Sequence, residues 1–248
     1  MAVGLFIPCY VDQLRPEVGL ATLDVLESLG CRPEYPRAQT CCGQPFLTAG
    51  FTRESARLAG RFVDVFADYE AVVTPSGSCA ATVRRQLAAQ VGDPRAPALA
   101  ERTYELCEFI VDRLGVVDLG GRFEARIGLH ASCHALRELG LGRPSERMSG
   151  GRDDPARRLL GSIAGVSWVE PSRPDECCGF GGVFAIGEAS VSCSMGRDRV
   201  AAHRAAGAEV ITSTDVSCLI HLDGIARHDG RPIRTLHVAE VMAAREVG

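Results

Sequence analysis

Val3-Gly4-Leu5-Phe6-Ile7-Pro8-Cys9 and Ile127-Gly128-Leu129-His130-Ala131-Ser132-Cys133 are two versions of one segment: a short, mostly apolar run of strand length, glycine in second place, closing on cysteine. Working outward, Cys41-Cys42-Gly43 returns as Cys177-Cys178-Gly179. Ala71-Val72-Val73-Thr74 precedes Cys79 much as Glu209-Val210-Ile211-Thr212 precedes Cys218, and Glu108-Phe109-Ile110 is answered by Glu240-Val241-Met242. Matched positions lie 124, 136, 139 and 132 residues apart in the 248-residue chain, so landmark order is kept while loop lengths differ. Self-similarity of this kind indicates an internal duplication.

Local patterns repeat with the landmarks. Pro16 stands where a helix begins and Gly30 follows Leu29 where one ends, with Val18, Leu20, Leu23, Leu26 and Leu29 at approximate helical spacing between them. Further helices are expected over about residues 53–66, 98–114 and 188–206. Strands alternating with helices imply an α/β protein: two homologous cysteine-rich repeats, each a small sheet with flanking helices, related by a pseudo-twofold. The expected repeats are residues 1–120 and 121–248, meeting at Gly120-Gly121. Residues 142–156, rich in Gly, Arg, Ser, Asp and Pro, read as a surface insertion in the second.

Composition narrows the chemistry. The formal charge of −4 offers no basic footprint for nucleic acid, and no apolar run reaches the roughly 20 residues that span a bilayer. No basic side chain precedes the first apolar stretch, so it reads as a strand and not as a signal peptide, and a cytoplasmic location is expected. All 27 basic residues are arginine, which rules out a P-loop lysine, a Schiff-base lysine or a lysine nucleophile. Eleven cysteines in a chain without an export signal point to metal binding or redox chemistry, and an odd count argues against a complete disulfide framework.

Eight of those cysteines follow the repeat: Cys9, Cys41, Cys42 and Cys79, then Cys133, Cys177, Cys178 and Cys218. Each half offers four thiols from two strand ends and a vicinal pair, and strand ends of an α/β sheet open onto one edge. Four thiolates suit a cubane iron–sulfur cluster or tetrahedral zinc, and spacing does not separate them. Neighbouring side chains in extended backbone point to opposite sides, so a vicinal pair meets one small ion only through a turn. A cluster with several attachment points relaxes that demand and favours iron–sulfur. Gly43 and Gly179-Phe180-Gly181-Gly182 allow tight turns, and the latter run does not satisfy G-x-G-x-x-G.

On Cys41-Cys42-Gly43-Gln44-Pro45, Thr74-Pro75-Ser76-Gly77-Ser78-Cys79, Ser132-Cys133-His134 and Cys177-Cys178-Gly179-Phe180-Gly181-Gly182, both halves resemble the CCG cysteine-rich domain family. That family takes in a heterodisulfide reductase component and the iron–sulfur subunits of glycolate oxidase and anaerobic glycerol-3-phosphate dehydrogenase, and the likeness here is to its short two-repeat lactate-utilisation members. The resemblance implies an iron–sulfur electron-transfer component, with a 4Fe–4S cluster in each half, of a complex oxidising L-lactate to pyruvate. Its implied partners are a ferredoxin-type iron–sulfur subunit and a third lactate-utilisation subunit. The chain carries no flavin or nicotinamide motif and no Cys-x-x-Cys-x-x-Cys run, so partners supply the remaining cofactors on this reading. Two others stay open: a heterodisulfide-reductase-like subunit whose cluster performs thiol chemistry, and a zinc-stabilised assembly protein without redox function. Zinc in one half alone is a further variant.

One departure stands out. Where the family has the first cysteine of Cys-x-x-Cys, this chain has Ser76 and Asp215, both of which also suit helix caps. Cys31, Cys107 and Cys193 fall outside the pattern and read as buried apolar thiols, Cys31 being the nearest of them to the site. His134 follows an expected ligand, yet a structural role is the simpler assignment, and more so for His221 and His237. Arg84-Arg85 and Arg157-Arg158 read as solvated helix charges, and Trp168 as core.

Overall fold

The computed structural model describes residues 1–147 and 151–245. The first half runs β1 (Ala2–Leu5), α1 (Cys9–Leu14), α2 (Pro16–Ser28), β2 (Arg32–Glu34), α3 (Gln44–Thr48), α4 (Thr52–Phe66), β3 (Ala71–Thr74), α5 (Gly77–Gln90), α6 (Ala96–Glu101), β4 (Thr103–Glu105) and α7 (Leu106–Glu108), which continues as a π-helical turn over Phe109–Arg113. The second runs β5 (Arg122–Leu129), a π-helical turn over His134–Glu138, α8 (Pro155–Gly161), β6 (Ala164–Trp168), α9 (Phe184–Gly187), α10 (Ala189–Ala205), β7 (Val210–Ser213), α11 (Val216–His228), β8 (Arg234–His237) and α12 (Val238–Ala243). Each half builds one four-stranded sheet, in the orders β2-β1-β3-β4 and β6-β5-β7-β8, and every pairing is parallel. The registers match as well: Val3 sits opposite Ala71, and Ile127 opposite Val210.

Strand alternation sorts side chains between two layers. Val3 and Leu5 face a core shared by both halves, in which Val25, Leu26, Phe109 and Ile110 meet Ile127, Leu159, Leu160, Val241 and Met242. Phe6 faces the other way, into a cluster with Phe62 and Phe66 at centroid distances of 5.1 and 5.6 Å. Gly4 and Gly128 point to these outer layers too, where added Cβ atoms would lie 2.8 Å from the Tyr69 ring and 2.4 Å from His203 Nδ1. Glycine is what lets α4 and α10 approach so closely.

The pseudo-twofold is visible in reciprocal packing. α2 packs on α12 while its counterpart α8 packs on α7, and α5 meets the 134–138 turn while α1 meets α11. On the axis the equivalent residues Ser76 and Asp215 form an antiparallel bridge, and Gly77 N–H donates to the Thr214 carbonyl at 3.2 Å. A Cβ at Gly77 would stand 2.7 Å from that of Ala135, so the halves touch almost backbone to backbone.

Several expectations need correcting. The helix expected over 98–114 is interrupted: α6 ends at Glu101 and β4 completes the sheet before α7 starts. The Glu105 carboxylate accepts the Glu108 N–H at 3.0 Å, so this edge strand feeds straight into a helical cap. Arg84 is not a free surface charge, since it grips both carboxylate oxygens of Glu108 at 2.7 and 2.8 Å. Arg85 Nε donates to the Glu138 carbonyl of the other half at 3.0 Å. Arg157 pairs with Glu170 and lies 5.1 Å above the ring of Trp168, which is only partly buried. Cys31 and Cys107 are in the shared core, whereas Cys193 is half-buried on α10. The longer connection of the second half falls between the 134–138 turn and α8; within it, 148–150 lie outside the described residues.

Candidate metal centre

Three local devices bring each set of thiols together. Cys9 and Cys133 sit just past the ends of β1 and β5, each leading a helical turn. Each vicinal pair precedes a glycine at φ 87° (Gly43) or 89° (Gly179), left-handed backbone that a side chain would strain. That turn folds the amide of the glycine back onto the first cysteine: Gly43 N–H donates to Cys41 Sγ at 3.4 Å and Gly179 N–H to Cys177 Sγ at 3.3 Å. Cys79 and Cys218 lie in the first turns of α5 and α11, capped by Ser76 and Asp215.

In the first half the Sγ atoms of Cys9 and Cys41 are 3.5 Å apart and those of Cys42 and Cys79 are 3.3 Å apart. All eleven cysteines are free thiols, and these separations far exceed a disulfide bond of about 2.05 Å. Crowded thiols share protons. Cys41, accepting from Cys42 and Cys9, is held down to about 3, while Cys9 and Cys42, which donate to it, are pushed up. Cys177, accepting from Cys133 and Cys178, is likewise lowered to about 2, with its two donors raised. Cys218, with Cys178 donating to it and His130 beside it, is held at about 7. Four thiolates at such distances repel unless a cation neutralises them, so each constellation has the donor chemistry of a metal or iron–sulfur centre.

Both constellations open into one cleft of about 310 Å³ between the halves, lined by all eight patterned cysteines together with Tyr10, Phe180, Pro45 and Val216. Tyr10 and Phe180, one from each half, pack edge to face at 5.7 Å within it. The floor is polar. Asp215 Oδ2 accepts the Ser78 N–H at 2.8 Å and the Ser76 and Ser132 hydroxyls at 3.4 and 3.5 Å, and its Oδ1 accepts the Ser217 hydroxyl at 2.7 Å. With five donors on it, counting the Ser217 amide at 3.3 Å, Asp215 is a satisfied bridge across the axis and not a spare ligand. His134 reaches across as well, its Nε2 3.1 Å from Gln44 Nε2.

Sequence reasoning missed His130. This side chain is fully buried, its ring has no oxygen or nitrogen partner among the described residues, and it is set against the cysteine sulfurs: a ring nitrogen lies within 4.8 Å of the Sγ atoms of both Cys178 and Cys218, and a hydrogen bond to Cys218 helps hold that thiol down. The signal was available, since His130 replaces Phe6 in the repeated segment.

Comparison with known proteins agrees with the duplication. The CCG cysteine-rich domain matches residues 3–84 and again 127–223. The chain is 39% identical to lactate utilization protein A of Geobacillus kaustophilus over 99% of its own length and 100% of the relative's. Identity to the proteins of that name from Exiguobacterium and Bacillus subtilis is 40% and 36%, covering 97% and 99% of this chain and 96% and 100% of theirs. Among solved structures, glutamate racemase from Campylobacter jejuni overlaps at a TM-score of 0.33 with 12% identity, covering 98% of this chain and 82% of that one. No helix among the described residues is long and apolar enough to cross a membrane.

Proposed function

The chain belongs to the CCG cysteine-rich domain family, and from that premise we propose that it is the iron–sulfur electron-transfer component of a cytoplasmic complex that oxidises L-lactate to pyruvate. The full-length relatives named for lactate utilisation support the substrate. The chemistry rests on one observation: eight thiols from two repeats converge on a single cleft. In this reading Cys9, Cys41, Cys42 and Cys79 hold one centre and Cys133, Cys177, Cys178 and Cys218 the other, in repeats spanning 1–120 and 121–248. A 4Fe–4S cluster, when bound, supplies one-electron acceptance and donation. The protein's share is to fix it by four thiolates and to aim the Gly43 and Gly179 amides at cysteine sulfur, which tempers the charge there.

Oxidation of a 2-hydroxy acid removes two electrons, and an organic or quinone acceptor carries that chemistry. The ferredoxin-type iron–sulfur subunit and a third lactate-utilisation subunit are the proposed partners that bring it. The test is a lactate-dependent dye-reduction assay under anaerobic conditions, on this chain alone and reconstituted with those two subunits. Turnover is expected only from the assembled set. Robust turnover by the isolated, metal-loaded chain, or by the partners without it, contradicts the proposal.

A further inference from the structure

The two halves do not offer the same donors. In the first, Phe6 closes the space behind the thiols and packs into an aromatic cluster with Phe62 and Phe66. In the second, the equivalent place holds His130, and behind it stands His203, its ring centroid 6.4 Å away. Burying an imidazole that has no partner better than a cysteine sulfur costs about 1–3 kcal/mol per unmet polar atom, and a phenylalanine here would avoid that cost. The sheet geometry does not require histidine, because the first half makes the same turn with Phe6. A buried imidazole whose polar neighbours are cysteine sulfurs, with a ring nitrogen within 4.8 Å of two of them, is placed as a metal ligand would be.

We infer that His130 is a nitrogen ligand of the second half's centre, acting with Cys178 and Cys218, so that this centre has a mixed nitrogen–sulfur donor set while the first has sulfur alone. The inference rests on the reading that the thiols hold metal, and it revises the second centre: a 4Fe–4S cluster takes one terminal protein ligand per iron, so His130 stands in for one of the four cysteines proposed above. A second feature fits. His130 also lines a separate small cavity of about 10 Å³, space of the order that holds a single water, together with Glu105, Asp154 and Thr214. Glu105 comes from the first half, is fully buried, and has one carboxylate oxygen without a partner among the described residues. Metal-bound histidines typically give their second N–H to a carboxylate, a carbonyl or water, and this cavity supplies such groups to His130.

The experiment uses the whole chain purified without oxygen, unlabelled and with ¹⁵N-histidine, alongside His130→Phe, His130→Asn and, as a control, His221→Gln. Metal analysis comes first. With iron present, pulsed electron paramagnetic resonance of the reduced protein should show the strong nitrogen coupling of a bound imidazole on one of two centres. Histidine labelling should convert it to the ¹⁵N pattern, His221→Gln should keep it, and both His130 variants should lose it while retaining at least half the iron. Phe is the first half's own residue at this place, and Asn keeps a polar group should Phe fail to fold. No histidine coupling in the wild type, or coupling that survives in the position 130 variants, overturns the assignment. If only zinc is bound, the iron–sulfur proposal fails separately, and X-ray absorption at the zinc edge decides His130: nitrogen at about 2.0–2.1 Å beside sulfur at about 2.3 Å supports it, and sulfur alone refutes it. A chain that binds no metal refutes both.

Discussion

The two halves share a strand order, a register and a cysteine pattern, and they differ where those features no longer dictate the residue. Behind the first set of thiols lies a dry aromatic layer, Phe6, Phe62 and Phe66. Behind the second lie His130, His203 and Arg199, all fully buried, with Arg199 tied to the carbonyls of Ser172 and Arg173 at 3.0 and 2.7 Å. At the ends of β4 and β8 the equivalent caps are Glu105 and His237, an acid and a base in the same place, each fully buried and each closing a capping box with Glu108 or Glu240. On the axis itself Ser76 faces Asp215. A duplicated fold keeps the backbone constraints twice and leaves the second layer of side chains free to diverge, so the surroundings of the two thiol sets differ more than the thiols themselves do.

The largest effects should come from the thiols. Cys42→Ser and Cys178→Ser should each strip iron and acid-labile sulfide from one half and spare the other, whereas Cys107→Ser, in the shared core, should leave both. Equal losses from all three would mean general unfolding and would erase the distinction between ligand and core cysteines.

Next is the axis. Asp215→Ala leaves the amides and hydroxyls of both halves without their acceptor, and a loss of about 3 kcal/mol is expected in urea unfolding. Ser76→Ala removes one cap, the hydrogen bond from the Cys79 amide, and should cost about 1 kcal/mol. Similar costs for the two would show that the axis is more symmetric than its hydrogen bonds.

The glycine turns offer a smaller contrast. Gly43→Ala and Gly179→Ala both place a side chain at positive φ, a strain of about 1–2 kcal/mol. At Gly43 the new Cβ would stand 3.1 Å from the Ser55 hydroxyl, while at Gly179 it would meet Met195 Cβ and the Ser192 carbonyl oxygen at 2.7 Å. The second-half variant should therefore have the lower melting temperature, and the reverse order would contradict the packing described for α10.

The cap pair should separate by pH. Burial raises the Glu105 carboxyl from 4.5 to about 8 in the folded chain, so the native state binds the extra proton and loses stability as pH rises from about 4.5 through 8. Burial lowers the His237 imidazole from 6.5 to about 4, so the unfolded state binds the extra proton and stability is lost as pH falls from 6.5 toward 4. Each slope is at most about 1.4 kcal/mol per pH unit. Between about pH 4.5 and 6.5 the two slopes oppose, so Glu105→Gln should remove the fall in stability between about 6.5 and 8, and His237→Gln the loss as pH falls below about 4.5, measured by urea midpoints. Exchange of the two effects would reverse the account of these caps.

Much of this was legible in the sequence because duplication repeats the strongest local signals. Strand-length apolar runs, Pro16 and Gly30 around a helix, and two Cys-Cys-Gly turns fix the α/β repeats without tertiary information. Strand β4 was not legible: Thr103-Tyr104-Glu105 is a three-residue edge strand between two helical turns, and its neighbours carry a helical pattern across it. The convergence of both thiol sets on one cleft was hidden for another reason, since it depends on how the halves dock through Ser76, Asp215 and Gly77. His130 escaped because it sits in an apolar run and looks like one more strand residue. Only its mismatch with Phe6 marks it.

The central claim is that both halves hold iron–sulfur centres, and iron and acid-labile sulfide analysis of the anaerobically purified chain, with electron paramagnetic resonance of the reduced protein, tests it most directly. The account predicts about four iron and four sulfide per half, about eight of each per chain, with two distinguishable signals. Stoichiometric zinc with no sulfide and no signal would contradict it.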